Sequence, residues 1–370
     1  MMLTYSPTRT DHATEGIVYE TEPQSKIKTN PWKIDLAVAV NFFCRPDTFA
    51  QVFDQIRKAR PRQLFLIADG PRPGNQSDIE NCRKCKKIAE NIDWQCEVYK
   101  LYNDVNKGLF LTYFDSMAKV FEVVDYCVFM EDDVVPAQSF FPYCKYLLEK
   151  YKDDLRISFV SAINQMPDGI SGNVESDYFF NGEGALYAYG LWKRTFEAMN
   201  MAFLKSPYAI HASIELAKVL KKGYERRIKK YKRDLMWQGH IPHVEIYRNL
   251  FRLLYWQMCI VPKYNLVKNI GLSGDASAHT ADDIRKIPKA KRGIYTTPTY
   301  ELTFPLKDPE YVICDLDYEK RVNYITAWNK PLLATLRRIE AIFRHICTGD
   351  FSRVTDKFKK VISGKYQFDE

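Results

Sequence analysis

Apolar residues recur along the chain with two periods, and the alternation between them predicts the architecture. Short, nearly continuous apolar runs rich in β-branched and aromatic residues occupy 34–40, 63–68, 96–101, 126–130 and 156–162. Runs of this length and composition predict strands buried on both faces. Between them the spacing turns helical: Phe49, Val52, Phe53 and Ile56 share a face within 48–58, and helices follow over 77–91 and 108–123. After Ser139, a residue suited to a helix N-cap, one face carries Phe140, Phe141, Cys144, Leu147, Leu148 and Tyr151. Strands and helices in this alternation predict an α/β fold with a doubly wound, mainly parallel sheet flanked by helices.

Outside that region the pattern changes. Residues 1–32 hold no sustained period and are expected to form an arm on the surface. Residues 203–255 read as helical and partly basic, and a last coherent segment runs from 259 to 280. From about 318 the chain is amphipathic and helical nearly to its end. The expected division is an arm over 1–32, a sheet domain over 33–280 and a mostly helical C-terminal extension over 281–370, without repeats or low-complexity tracts.

At 370 residues, 46% hydrophobic and 14% aromatic, the chain can bury a large core. Its formal charge of +8, from 54 basic and 46 acidic residues, suits an anionic small molecule, a membrane surface or nucleic acid alike and chooses none of them. The basic stretches 83–87, 221–233 and 286–292 read first as solvated helix faces or loops. Nine cysteines, an odd number scattered through apolar runs, predict buried reduced thiols of a cytoplasmic protein. Cys82 and Cys85 form a C-x-x-C on a predicted helix with no second pair at zinc spacing, so they read as incidental. No signal-peptide order and no run approaching the roughly 18 apolar residues of a membrane span is present.

Chemistry enters where the strand 126–130 runs straight into Glu131, Asp132 and Asp133. A strand's stability does not call for three carboxylates at its end. In open α/β sheets ligands bind at the carboxyl ends of strands, so the triplet is placed to hold a divalent cation that carries phosphate oxygens. A solvated acidic turn is the bland alternative. Arg45, after the first strand, offers a fork of donors suited to a diphosphate. Asp69, after the second, could accept from the ring N–H of a pyrimidine, and Lys107 adds a cation just before a helix N-terminus.

The strand leading to Asp69-Gly70, the Asn106-x-Gly108 turn, the apolar strand ending in Glu131-Asp132-Asp133, Ser139-Phe140-Phe141-x-Tyr143-Cys144 and Asn265-Leu266-Val267-x-Asn269-Ile270-Gly271 with a following His279-Thr280 resemble GT-A-fold glycosyltransferases. The chain is similar to bacterial family-2-like enzymes of polysaccharide biosynthesis and, more distantly, to N-acetylglucosaminyltransferase I. The resemblance spans roughly 33–280. It implies a GT-A, Rossmann-like sheet and a metal-dependent, inverting transfer of a sugar from a nucleotide-diphosphate donor, with UDP the expected nucleotide, to a glycan or lipid-linked hydroxyl. Asp133 would then bind Mn2+ or Mg2+, Glu131 and Asp132 would contact sugar and ribose, Asp69 would read the base, and Arg45 and Lys107 would face the donor.

In the resembling bacterial enzymes the base sits in a Trp-Asp-containing helix about 20 residues before the Asn-Leu-Val segment. Counting back reaches Val244-Glu245, so Glu245 is the implied base; an ion-paired or exposed helical glutamate is the structural alternative. His279 could complete the metal shell or remain a hydrogen-bonded loop residue. The aromatic segment 187–192 matches an acceptor-side stretch, which makes Tyr189 and Trp192 candidate sugar-stacking rings and Glu183 a polar contact, with core packing the alternative for Trp192. No nucleic-acid partner is expected, and the basic helical C-terminus is expected to touch the inner face of a membrane. Two other functions fit the same acids: a sugar-nucleotidyltransferase, although 41–47 lacks the glycines of its loop, and a non-catalytic assembly protein on a transferase scaffold.

Overall fold

The computed structural model describes residues 30–171, 174–182, 184–199, 255–272, 283–327 and 330–351, with isolated positions between 208 and 252. An eight-stranded sheet forms its centre, in the order β3-β2-β1-β4-β8-β6-β9-β7. The strands are β1 (Ile34–Phe42), β2 (Pro61–Ala68), β3 (Glu97–Tyr102), β4 (Tyr126–Glu131), β6 (Ile157–Ser161), β7 (Tyr178–Asn181), β8 (Ala188–Trp192) and β9 (Met258–Pro262). β1 to β4 are parallel, as are β6 and β9, whereas β8 runs antiparallel to both β4 and β6, and β7 to β9. The fold is therefore the expected α/β arrangement around a mainly parallel sheet.

Both faces are covered, which explains the near-continuous apolar strands. Val38, Val40, Leu64, Leu66, Val128 and Met130 face one cluster with helices α1 (Pro46–Ala59), α2 (Gln76–Ala89) and α4 (Phe140–Lys150). Ala37, Ala39, Phe65, Ile67, Cys127 and Phe129 face the other, against Met117 and Val120 of α3 (Leu109–Val123) and Tyr318 and Val322 of α7 (Leu316–Ile325). α1 starts with Pro46 in its first turn and stops at Arg60, which takes a left-handed conformation with φ of 48° before Pro61. In α2 the Asn75 side chain caps the helix by accepting from the Asp78 N–H at 3.1 Å.

A second, two-stranded sheet pairs β5 (Val134–Pro136) with β10 (Val267–Asn269) antiparallel, Asn269 opposite Val134. This ribbon begins one residue after the acidic triplet and folds 267–271 back over it. The remaining elements are the short helices α5 (Lys193–Ala198) and α6 (Gly293–Thr296), two 3-10 turns (Ile284–Lys286 and Lys289–Lys291) and α8 (Pro331–Cys347). Within the expected C-terminal extension, 297–315 is irregular and reaches the sheet: Leu302 and Leu306 enter the first core cluster, and Asp315 N–H donates to the Phe180 carbonyl at 2.8 Å.

The described cysteines carry no disulfide. Seven are buried, and burial pushes the thiols of Cys44 and Cys82 up to about 12 and about 11, so they stay protonated. Among the described residues no helix is long and apolar enough to cross a membrane.

Candidate active site

The strand order turns about β1: the chain builds β2 and β3 to one side and β4 to the other. Such a reversal opens a crevice at the carboxyl ends of the strands on either side of it. β1 and β4 run in register with Asn41 opposite Glu131, so the loop carrying Arg45 and the triplet leave the sheet side by side.

Arg45, at the head of α1, ties the two segments together. Its Nη1 donates to Asp133 Oδ2 at 2.8 Å and its Nη2 to Asp132 Oδ1. Asp132 Oδ2 also accepts from the Phe43 N–H at 3.2 Å. Both carboxylates are buried, and the arginine side chain is 17% exposed. Burial raises Asp132 to about 6, with Arg45 pulling it down and Asp133 pushing it up. Burial disfavours the Arg45 charge, but Asp132 and Asp133 more than offset this and hold the guanidinium above its usual range.

Asp133 Oδ1 is buried and meets no hydrogen-bond donor among the described residues. An orphaned carboxylate oxygen is costly unless a cation or donor reaches it. Among the described residues Asp132 and Asp133 share the one guanidinium of Arg45, so a bare diphosphate gains little at this pair, and a divalent cation would reverse the sign. Among the described residues no group of three or more His, Cys, Asp or Glu could hold a metal alone. The donor set fits a cation held by one or two carboxylates and completed by substrate phosphates.

Two further residues come near the ion pair: Gly271 packs against it, and Tyr295 lies within range of its charges. Ile270 N–H donates to the Asp133 carbonyl at 2.8 Å, which seats Gly271 against the ion pair. A Cβ on Gly271 would lie 2.0 Å from Asp133 Oδ2 and 3.1 Å from Arg45 Nη1, so the position tolerates only glycine without movement. Tyr295 of α6 approaches from the C-terminal segment. Its phenol is pushed up by burial and by the Asp133 charge, with Arg45 opposing. Gly271 could have been suspected from the Asn269-Ile270-Gly271 turn; nothing local marks Tyr295.

Asp69 lies across β1 from the triplet, about 10 Å away at the ordinary strand spacing. Its Oδ1 accepts from the N–H groups of Gly70 and Lys107, both at 3.0 Å, and from Asn103 Nδ2 at 3.2 Å, and its Oδ2 accepts from the Gly108 N–H at 3.0 Å. It thereby fixes the loop between β3 and α3. Gly70 is required beside it, because a Cβ there would lie 2.5 Å from the Val105 backbone. Lys107 is exposed on this loop, and its charge acts on Asp115.

Two sequence expectations are corrected. Tyr189 and Trp192 are 1% and 2% exposed and belong to the core, not to an acceptor surface. Tyr189 stacks on Phe129 and shares a 2.6 Å hydrogen bond with Tyr113. Trp192 pairs with Tyr126 at the start of β4, the end of that strand remote from the acids, and its Nε1 donates to the Leu148 carbonyl at 2.8 Å. β8 runs antiparallel, which carries its last residues away from the crevice. Glu183, Glu245 and His279 lie outside the described residues.

No protein-family model matches the chain, and no curated protein matches it. Solved structures align with low scores. The inositol-1-phosphate CTP transferase from T. maritima aligns at 10% identity and a TM-score of 0.28, over 44% of this chain and 74% of that one. An apo UDP-glucose pyrophosphorylase aligns at 9% identity and 0.33, over 63% and 93%. Mouse xyloside xylosyltransferase 1 in its apo form aligns at 12% and 0.31, over 63% and 97%. Likeness at this level assigns no chemistry to the chain.

Proposed function

We propose that the protein is a metal-dependent glycosyltransferase that moves a sugar from a nucleoside diphosphate, with UDP the expected carrier, to a hydroxyl of a glycan or lipid-linked acceptor in cell-surface polysaccharide synthesis. The observation that carries the reading is the buried Oδ1 of Asp133, which meets no donor among the described residues while Arg45 holds Oδ2, at the point where the strand order reverses.

Asp133, with Asp132 behind it, would hold Mn2+ or Mg2+ against the diphosphate. When bound, the cation supplies positive charge to the leaving group. Arg45 orients both carboxylates and, being shared between them, keeps two buried negative charges compatible. Glu131, at the end of β4, and Lys107, on the loop between β3 and α3, are proposed to meet the donor, and Asp69, beyond shaping its loop, is the proposed reader of the base. In the transfer the bond from the anomeric carbon to the diphosphate oxygen breaks and one to the acceptor oxygen forms. The acceptor proton passes to Glu245, the proposed base, with inversion at the anomeric carbon. His279 is proposed to complete the metal shell.

Calorimetry with a panel of uridine and guanosine diphosphate sugars, with and without Mn2+, tests the proposal. Binding that needs the divalent ion is expected for at least one donor. No divalent-dependent affinity for any of them would end the reading.

A further inference from the structure

Helix α8 is turned inside out for a helix that packs on its own chain. Apart from Arg338, which is exposed, its charged side chains face inward. Arg337, 7% exposed, donates to the carbonyls of Tyr324, at 2.7 Å, and Ile325 at the end of α7. Glu340 accepts from the Lys289 N–H at 3.0 Å and from Arg344 Nε at 2.7 Å. His345, also 7% exposed, stands 3.3 Å from Asp350, which pairs with Lys286 at 2.9 Å.

The opposite face is apolar and open to solvent. Leu332, Leu336, Ile339, Phe343 and Ile346 are 83%, 62%, 57%, 64% and 43% exposed. Successive members lie four, three, four and three residues apart, so they form one continuous stripe along the helix. Single exposed leucines are ordinary surface, whereas a contiguous apolar stripe marks an interaction face.

Charge selects the partner. From residue 351 on the sequence sets Phe351, Val354, Phe358, Val361 and Ile362 among Arg353, Lys357, Lys359, Lys360 and Lys365, with Asp356 the single acid between Asp350 and Asp369. Cations interleaved with large apolar residues beside an amphipathic helix suit an anionic bilayer surface. A second copy would bring the same positive excess against itself, across a stripe shorter than the three to four heptads of a sustained coiled coil.

We infer that the outer face of α8 docks the protein on an anionic lipid bilayer, its apolar stripe at the acyl boundary and the neighbouring cations among the headgroups. The inference goes beyond the transferase reading. Where that reading holds, this attachment keeps the protein at the surface on which a lipid-linked acceptor is presented.

Sedimentation of the full chain with phosphatidylcholine vesicles, with and without phosphatidylglycerol, tests it in the absence of nucleotide. The parent is expected to pellet with the anionic vesicles, at least about tenfold more weakly with phosphatidylcholine alone, and to be released at roughly 1 M salt, where screening shortens to about 3 Å. The double variant Leu336→Ser/Phe343→Ser alters two exposed side chains and is expected to lose about tenfold or more in vesicle affinity. Circular dichroism matching the parent shows that it folds. A parent that stays in the supernatant with anionic vesicles overturns the inference. So does a parent that elutes as a dimer which the double variant dissociates, because the stripe then belongs to a second copy. Donor binding is read in a separate experiment, so failure of either reading leaves the other standing.

Discussion

Asp69 and Asp133 are both buried aspartates at the carboxyl ends of strands flanking β1, yet their surroundings differ in kind. Asp69 is surrounded by donors, three of them backbone N–H groups, and its carboxylate acts as the keystone of a loop. Asp133 shares one oxygen with Arg45 and leaves the other buried without a donor among the described residues. Burial of a carboxylate therefore does not by itself mark a ligand site. What separates the two is how many donors the fold supplies: Asp69 is satisfied by its own loop before any base reaches it, whereas the open oxygen of Asp133 is a place for something from outside.

Substitutions can break that contrast. The largest effect is expected from Asp133→Asn, which keeps the shape and removes the charge: divalent-dependent transfer should fall by on the order of a hundredfold or more, with little change in the urea midpoint. A variant that turns over like the parent would remove Asp133 from the mechanism. Asp69→Ala should differ by costing about 3 kcal/mol of stability in urea titration, beyond any loss of donor affinity, by stranding the N–H groups of Lys107 and Gly108. If that variant unfolds like the parent, the loop does not depend on Asp69.

Gly271→Ala sharpens the comparison at closer range. With its Cβ 2.0 Å from Asp133 Oδ2, it should cost about 1–3 kcal/mol and weaken donor binding together, since relief requires Asp133 or Arg45 to move. Calorimetry showing parental donor affinity would mean that the crevice adjusts freely. The smallest effect is a pH dependence at Asp132. Burial raises its folded value to about 6, above its value of 3.8 when unperturbed, so its contribution to stability is full below the lower value and lost as pH rises through the higher one. Asp132→Asn cannot ionise, and relative to the parent it should gain about 1 kcal/mol between about pH 5 and about pH 8. The reverse slope in denaturation curves would show that Arg45, rather than burial, governs this carboxylate.

The first four strands and their helices were legible because burial on both faces writes continuous apolar runs into the sequence. β7 and β8 were less so. Ala188–Trp192 reads as an aromatic segment suited to stacking on a sugar, and only its antiparallel insertion between β4 and β6 turns Tyr189 and Trp192 into core. Leu302 and Leu306 likewise enter the sheet's core from a stretch that local periodicity assigns to a separate extension. At the crevice, Arg45 and the triplet were visible as residues at strand ends, whereas Gly271 and Tyr295 reach it from more than a hundred residues away.

Taken alone, the sequence determined the alternation of strand and helix and which strand ends carry acid, because both are local properties of spacing and residue type. Only the tertiary structure decided which of those acids is satisfied, which aromatic rings are sealed inside, and which face of α8 looks outward. Each depends on neighbours brought together through space, and no period along the chain encodes them.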